Sequence, residues 1–381
     1  MENSTTGNSM IEKSTAEDSA IKNAVETHSK KPDLRGMLPA ELQAYVKGLG
    51  QPAYRAKQLF RQVQKHGAPD FDHMSDLPLA FRHYLGETAR LSTPKELRRQ
   101  VSASGDTAKL LLELEDGVLI EMALMLYRRA KARDRATVCV SSQSGCAMDC
   151  QFCATGLCRD FRNLTAGEIV AQVQAADRLA KELGYEGVTN IVYMGMGEPL
   201  ANIEQVHRSI QLINDQEGMD IGARRITVST CGLVPQIYKM IEWDLQVSLA
   251  VSLHCADQKR REKLMPVAAR YPLEELIRAC RDFRDRTGRR VTCEYAMFAG
   301  INDSMEDARL LGGLLTGTDI LVNIIPANPV PERGVQPSPA PVIEAFRKIV
   351  EEDYHVATQL RERRGADIQA ACGQLRRGEK Q

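Results

Sequence analysis

The strongest chemical signal in the chain is Gly145 to Gly156, GCAMDCQFCATG, where Cys146, Cys150 and Cys153 stand at the spacing C-x3-C-x2-C with aromatic Phe152 before the last. An iron–sulfur cube normally takes four thiolates. Three from one short loop leave one iron open to bind and polarise a ligand. Zinc sites more often come as two separated C-x2-C knuckles, so the longer first gap argues for iron–sulfur over zinc. A disulfide framework fits poorly, because cysteines this close in a non-secreted chain usually mean metal.

Such a loop needs a scaffold. From Thr137 onward, strand-like stretches at 137–141, 190–194, 225–230, 245–253, 290–297 and 319–325 alternate with amphipathic stretches at 166–183, 203–215, 234–243, 273–287 and 307–315, and a helix at 341–353 follows. The alternation predicts an α/β fold, a parallel sheet with helices outside, open or barrel-shaped. Six strands are too few for a complete eight-stranded barrel. Ligands of such folds bind beyond the carboxyl ends of the strands, and the polar signals fall there. The cysteine loop follows the first strand and Gly195-Met196-Gly197-Glu198-Pro199 the second. Ser229 to Gly232 ends the third, Ser252-Leu253-His254 the fourth, and Pro326-Ala327-Asn328-Pro329 follows the sixth. Alone, each is weak: a glycine turn is usually only a turn. Together they describe a ligand pocket beside the metal.

The rest of the chain is less specific. Residues 1–32, polar and without an aromatic, predict a disordered tail. Three short amphipathic helices at 39–49, 53–64 and 77–84 predict a small helical accessory domain over 33–90. Its basic residues Arg55, Lys57, Arg61 and Lys65 form either a solvated face or a nucleic-acid contact. Residues 91–136 hold a β-hairpin, 109–127, turning at Glu115-Asp116-Gly117, and a basic linker, RRAKARDR. The core spans 137–375 and a tail 376–381. With 50 basic and 50 acidic residues the net charge is +0, so any polyanionic partner must be met by local patches. No apolar run reaches membrane-spanning length and no signal segment opens the chain, which with the cysteine usage predicts a reducing, cytoplasmic setting without membrane contact.

At these motifs the chain resembles the radical S-adenosylmethionine (SAM) superfamily and, within it, the RlmN family of adenosine C2 RNA methyltransferases. The shared text includes CVSSQSGCAMDCQFCATG, YMGMGEPLAN, TVSTCGLVP, VSLH, EKLMPV, NIIPANP and ADIQAACGQL, spread over residues 34–375. The resemblance implies a partial six-stranded (β/α)6 barrel with a small N-terminal helical, RNA-binding domain. It implies one 4Fe–4S cluster on Cys146, Cys150 and Cys153, with SAM on the fourth iron. Gly197 and Glu198 would meet the amino group of SAM, and Ser229, Ser252, Leu253, His254 and Asn328 would complete its pocket. The implied partners are RNA, 23S rRNA and also tRNA, and an electron donor such as flavodoxin or a thiol reductant. The implied protein is a monomer.

Two more cysteines gain roles only through the resemblance. Read alone, Cys139 in its alternating strand is a buried core cysteine, and Cys372 in a Gly-flanked loop is undecided. The family pattern makes Cys372 the carrier of an S-methyl group and Cys139 the thiol that resolves it. Adenine C2 is electron-poor, so displacement from a sulfonium cannot alkylate it. One SAM would methylate Cys372; a second, cleaved at the cluster, would turn that methyl group into a carbon radical that adds to C2. Release would leave a transient Cys139–Cys372 disulfide. The family's proton-accepting glutamate matches Glu121, but seventeen residues separate it from Cys139, a few more than usual. A structural Glu121 therefore stays open, and the extra length feeds the basic segment, which suits RNA phosphates. Two rivals remain. The sister methyltransferase Cfr modifies C8 with the same cysteines, although Pro199 and IIPANP look like the C2 enzyme. A zinc-stabilised, non-catalytic RNA-binding protein would give Cys372 no role.

Overall fold

The computed structural model describes residues 31–128, 130 and 132–376. Nearly all of the expected N-terminal tail, residues 377–381, and Arg129 and Lys131 of the basic segment lie outside these. Ten strands form one sheet whose spatial order is the order of the sequence. The first four, β1 (Lys95–Val101), β2 (Thr107–Glu113), β3 (Leu119–Tyr127) and β4 (Arg135–Cys139), pair antiparallel. From β4 onward the pairing is parallel, through β5 (Asn190–Tyr193), β6 (Ile226–Thr230), β7 (Ser248–Ser252), β8 (Val291–Met297), β9 (Leu321–Pro326) and β10 (Thr358–Leu360).

Parallel neighbours in chain order require a crossover helix between each pair, and such crossovers share one hand. The helices α4 (Ala166–Glu182), α5 (Ile203–Asn214), α6 (Val234–Ile241), α8 (Leu273–Thr287) and α9 (Met305–Leu315) supply them, with α7 (Gln258–Leu264) inserted after β7 and α10 (Ala340–Lys348) after β9. Strand β4 does not pair with β9 or β10, so the barrel stays open on one side; the parallel run holds the six expected strands, β4 to β9, and the short β10 as a seventh. The outer strand faces (Val138, Ile191, Val228, Leu249, Tyr295, Ile324) are wholly buried in the main core. Each such side chain contributes about 1.5–3 kcal/mol. The inner faces carry Ser229, Ser252, Glu294 and Asn323 instead. That polarity is affordable only around a ligand or within a satisfied network.

Three elements escaped the sequence reading. Strand β1 (KELRRQV) is exposed along almost its whole length, an edge strand whose charges hide any apolar alternation. Strand β10 is three residues long, and α7 (QKRREKL) has almost no apolar periodicity. The basic linker is also shorter than expected, since β4 already begins at Arg135.

The accessory helices are α1 (Pro39–Gly48), α2 (Ala53–Phe60) and α3 (Leu79–Thr88). Arg35, 2% exposed, bonds Gln174 of α4 and the Ala68 carbonyl, the latter at 3.0 Å. Much of the basic face has protein partners: Lys57 and Arg61 meet Glu217 at 2.8 and 2.5 Å, and Arg55 bonds Gln58 and the Asp76 carbonyl.

Candidate active site

The loop after β4 places Cys146, Cys150 and Cys153 in the lining of a cleft at the mouth of the barrel. It is strapped from both ends. Gln151 N–H donates to the Leu264 carbonyl at 2.8 Å, and Arg333 bonds the Cys153 carbonyl at 3.3 Å and Asp149 at 2.6 Å. Burial pushes the Cys146 thiol up to about 12 and Cys150 well above the ordinary range. Thiolates at such positions need a cation to hold them.

The glycine-rich turn after β5 presses against this loop. Gly197 has φ +99, and a Cβ there would stand 2.5 Å from the Gln143 Cβ. Only glycine fits. Gln143 in turn accepts the Glu198 N–H at 2.8 Å. The Glu198 carboxylate is 4% exposed and takes N–H bonds from Leu200 (3.0 Å) and Cys231 (2.8 Å). Burial raises its pKa and those bonds partly offset the shift. Those bonds hold the carboxyl in the cleft beside the cysteines.

Ser229, Ser252, His254 and Asn328 also line the cleft. Leu253 does not: its side chain is buried in the core, and it offers only a carbonyl, which accepts from Arg261 at 3.1 Å. His254 Nδ1 accepts the Ala296 N–H at 3.0 Å. Burial and then Arg261 lower its pKa to about 3, so the ring is neutral with its proton on Nε2. Asn328 donates to the Cys372 carbonyl at 3.4 Å, while its buried Oδ1 has no partner. An orphaned acceptor in a cleft is a place for a ligand donor.

A second cleft opens on the unclosed side of the barrel, lined by Tyr127, Arg135, Cys139, Arg361, Arg363 and Arg364 among others. Arg135 and Arg364 sandwich the Tyr127 ring at 3.9 and 4.2 Å. Cys372 belongs to both clefts. Its loop is stitched to the cysteine loop by Ala154 N–H on the Gly373 carbonyl, 2.8 Å, and Gln374 reaches the Pro329 carbonyl at 3.0 Å. Surrounding protein raises the Cys372 thiol, and Arg361 pulls it back down. Cys139, 8% exposed, is raised by burial and then by the neighbouring Cys372 charge. Both are free thiols, and no disulfide is present among the described residues.

Glu121 is placed differently. It lines a separate polar cleft, pairs with Lys109 at 3.1 Å and accepts the Arg376 N–H at 3.0 Å, with its pKa raised by burial against the pull of Lys109. Sequence reading missed Arg261, fully buried and bonded to the carbonyls of Cys231, Ser252 and Leu253. Nothing in a seven-residue polar helix announces a buried guanidinium.

A sequence-ordered parallel barrel with three rim thiols and this glycine turn defines a radical SAM enzyme, and residues 140–311 match the radical SAM superfamily. Residues 32–91 match the ribosomal RNA large subunit methyltransferase N-terminal domain. The chain is 48% identical over 345 residues to the probable dual-specificity RNA methyltransferase RlmN of Moorella thermoacetica, covering 90% of this chain and 97% of that one. It is 43% identical to the dual-specificity RNA methyltransferase RlmN of Anaeromyxobacter dehalogenans over 91% of this chain and 92% of that one. A radical SAM methyltransferase from Sphaerobacter thermophilus superposes with a TM-score of 0.87 at 44% identity, covering 91% of this chain and 100% of that one. The chain belongs to the RlmN family of radical SAM RNA methyltransferases. Its cofactors are one 4Fe–4S cluster and SAM. The three thiols lining the cleft, the capped Glu198 carboxylate and the orphaned Asn328 oxygen fit that pair.

Proposed function

We propose that the enzyme methylates C2 of an adenosine in RNA, in 23S rRNA and in tRNA, with Cys372 carrying the methyl group. The observation that carries this reading is the position of Cys372 on the wall shared by the SAM cleft and the arginine-lined cleft. A carrier must meet its donor on one side and its acceptor on the other.

Arg361 beside Cys372 favours the thiolate, which accepts a methyl group by displacement. Cys146, Cys150 and Cys153 would hold the cluster and Glu198 would meet SAM, and the pair would supply hydrogen abstraction from that methyl group. Turnover therefore consumes two SAM molecules, one as methyl donor and one as radical source. Once the adduct has given up the C2 proton and, back to the cluster site, its unpaired electron, Cys139, across the second cleft, attacks the Cys372 sulfur; the methylene carbon leaves with the C–S electron pair and takes up a proton, which frees the methylated RNA and leaves a disulfide. A thiol or flavodoxin-type donor then restores both thiols, as a reducing cytoplasm allows. For Glu121 we propose a positioning role, because its carboxylate holds the Arg376 end of the carrier loop. Among the described residues no helix is long and apolar enough to cross a membrane.

The test is nucleoside analysis of rRNA and tRNA after anaerobic incubation with SAM and reductant. The wild-type enzyme yields 2-methyladenosine and Cys372→Ala yields none. Either 8-methyladenosine as the product, or wild-type activity in Cys372→Ala, would overturn the reading.

A further inference from the structure

One buried carboxylate at the heart of the site has no part in the chemistry above. Glu294 lies on the inner face of β8, in register with Ser252 of β7 and Asn323 of β9, and is 7% exposed. The Asn323 amide donates to Oε1 at 2.7 Å and the Thr292 hydroxyl donates to the same Oε1 at 3.2 Å. No described residue bonds Oε2. Two donors fix the carboxylate plane through one oxygen, and the residue lines the clefts on both sides.

The place of this residue is informative. Glu294 is one of six residues that line both clefts, with Met194, Ile325, Asn328, Cys372 and Leu375. Three of these are apolar and suit the faces of a flat ring. The two buried carboxylates of the barrel also divide the space electrostatically. Glu198 acts on Cys146, Cys150 and Cys231 and so faces the cluster side. Glu294 acts on Cys372 and feels Arg361, and so faces the carrier and the arginine cleft. Burial raises the Glu294 pKa, while Asn323, Arg361 and Thr292 favour its charged form.

We propose that Glu294 reads the substrate base, its Oε2 accepting a hydrogen bond from the 6-amino group of the RNA adenine whose C2 is methylated. This rests on the function proposed above. An enzyme acting on a base must take it out of its stack and identify it in the pocket. In its ionised form, which Asn323, Arg361 and Thr292 favour, the carboxylate is a pure acceptor, so it bonds the amino group of adenine and opposes the 6-oxygen of guanine or hypoxanthine. The discrimination is strong because the wrong base leaves two acceptors facing each other away from water. SAM carries the same amino group, and the two sources must be told apart by changing only the RNA.

The experiment uses reconstituted holoenzyme, wild type and Glu294→Gln, on stem-loop RNAs with adenosine, inosine or purine riboside at the target position. All three keep the C2 hydrogen. Products are measured by nucleoside mass spectrometry. Wild type is expected to act on inosine at least about 100-fold more slowly than on adenosine, with purine riboside between. In Glu294→Gln the amide can donate to a 6-oxygen. The adenosine rate is expected to fall about 10- to 100-fold and the adenosine-to-inosine ratio to shrink at least about tenfold. Equal rates of wild type on adenosine and inosine overturn the proposal, whether or not the variant folds. A variant that loses rate while keeping the wild-type ratio overturns it too, and assigns Glu294 to SAM or to the scaffold. Absence of 2-methyladenosine with wild type overturns the proposed function itself and this inference with it.

Discussion

The Thr155 hydroxyl donates to the Leu375 carbonyl at 2.6 Å, tying the turn after the last cluster cysteine to the segment that bears Cys372. Both residues are buried, at 3% and 4% exposure, so water does not readily replace the bond. Thr155→Val keeps the volume and removes the donor. The orphaned carbonyl costs about 1–3 kcal/mol, spent locally as looser anchoring of the carrier loop. Hydrogen exchange over 365–376 is expected to rise and RNA methylation to fall several-fold. Unchanged exchange there would show that the bond does not hold the loop.

Cys139→Ala separates attachment from release. The methyl carbon can still bond to the base, but no thiol attacks the Cys372 sulfur. RNA is expected to remain covalently on the protein, visible as a nuclease-sensitive shift on a denaturing gel, with less than one product per enzyme. Multiple turnovers by this variant would remove Cys139 from the mechanism.

Gly197→Ala tests the turn against the cysteine loop. A methyl group would stand 2.5 Å from the Gln143 Cβ at a positive φ, so the loop must shift. The strain is about 1–3 kcal/mol. SAM affinity, read by equilibrium dialysis, is expected to fall at least about tenfold. Wild-type affinity would mean that the loop yields freely.

His254 predicts an acid limit. Its folded pKa is lowered from 6.5 to about 3, so the native state binds fewer protons than the unfolded chain between those values. The stabilisation is whole above pH 6.5 and is lost as pH falls toward about 3. By pH 5 the loss is about 2 kcal/mol. Urea midpoints of the apoprotein at pH 5 and 7 measure it. His254 has φ +52, which asparagine tolerates, so His254→Asn is expected to flatten that slope. An unchanged slope would place the proton elsewhere.

What could be read from the sequence followed local physics. The three cysteines, the glycine turn and the six barrel strands announce themselves by spacing and periodicity, and each is where those patterns put it. Leu253 shows the limit of carrying a motif over whole: within Ser252-Leu253-His254, alternation sends its side chain to the core. The proposed partnership of Cys139 with Cys372, which line one cleft, came from the family resemblance and not from periodicity. Sequence left Glu121 suited to base or scaffold alike, and its contacts with Lys109 and Arg376 lie far from it along the chain. Strand β1 stayed hidden because a charged edge strand has no apolar face to display.

The order of parts along the chain has a consequence for protein synthesis. Every strand of the sheet is finished by Leu360, and all the expected cluster and SAM residues precede that point. The proposed methyl acceptor, Cys372, comes only after it. A message broken or stopped between the two would encode a barrel with its reactive centre in place and no sulfur to receive the methyl group. Such a fragment would spend SAM without product, so faithful translation of the last stretch is itself a safeguard against futile radical chemistry.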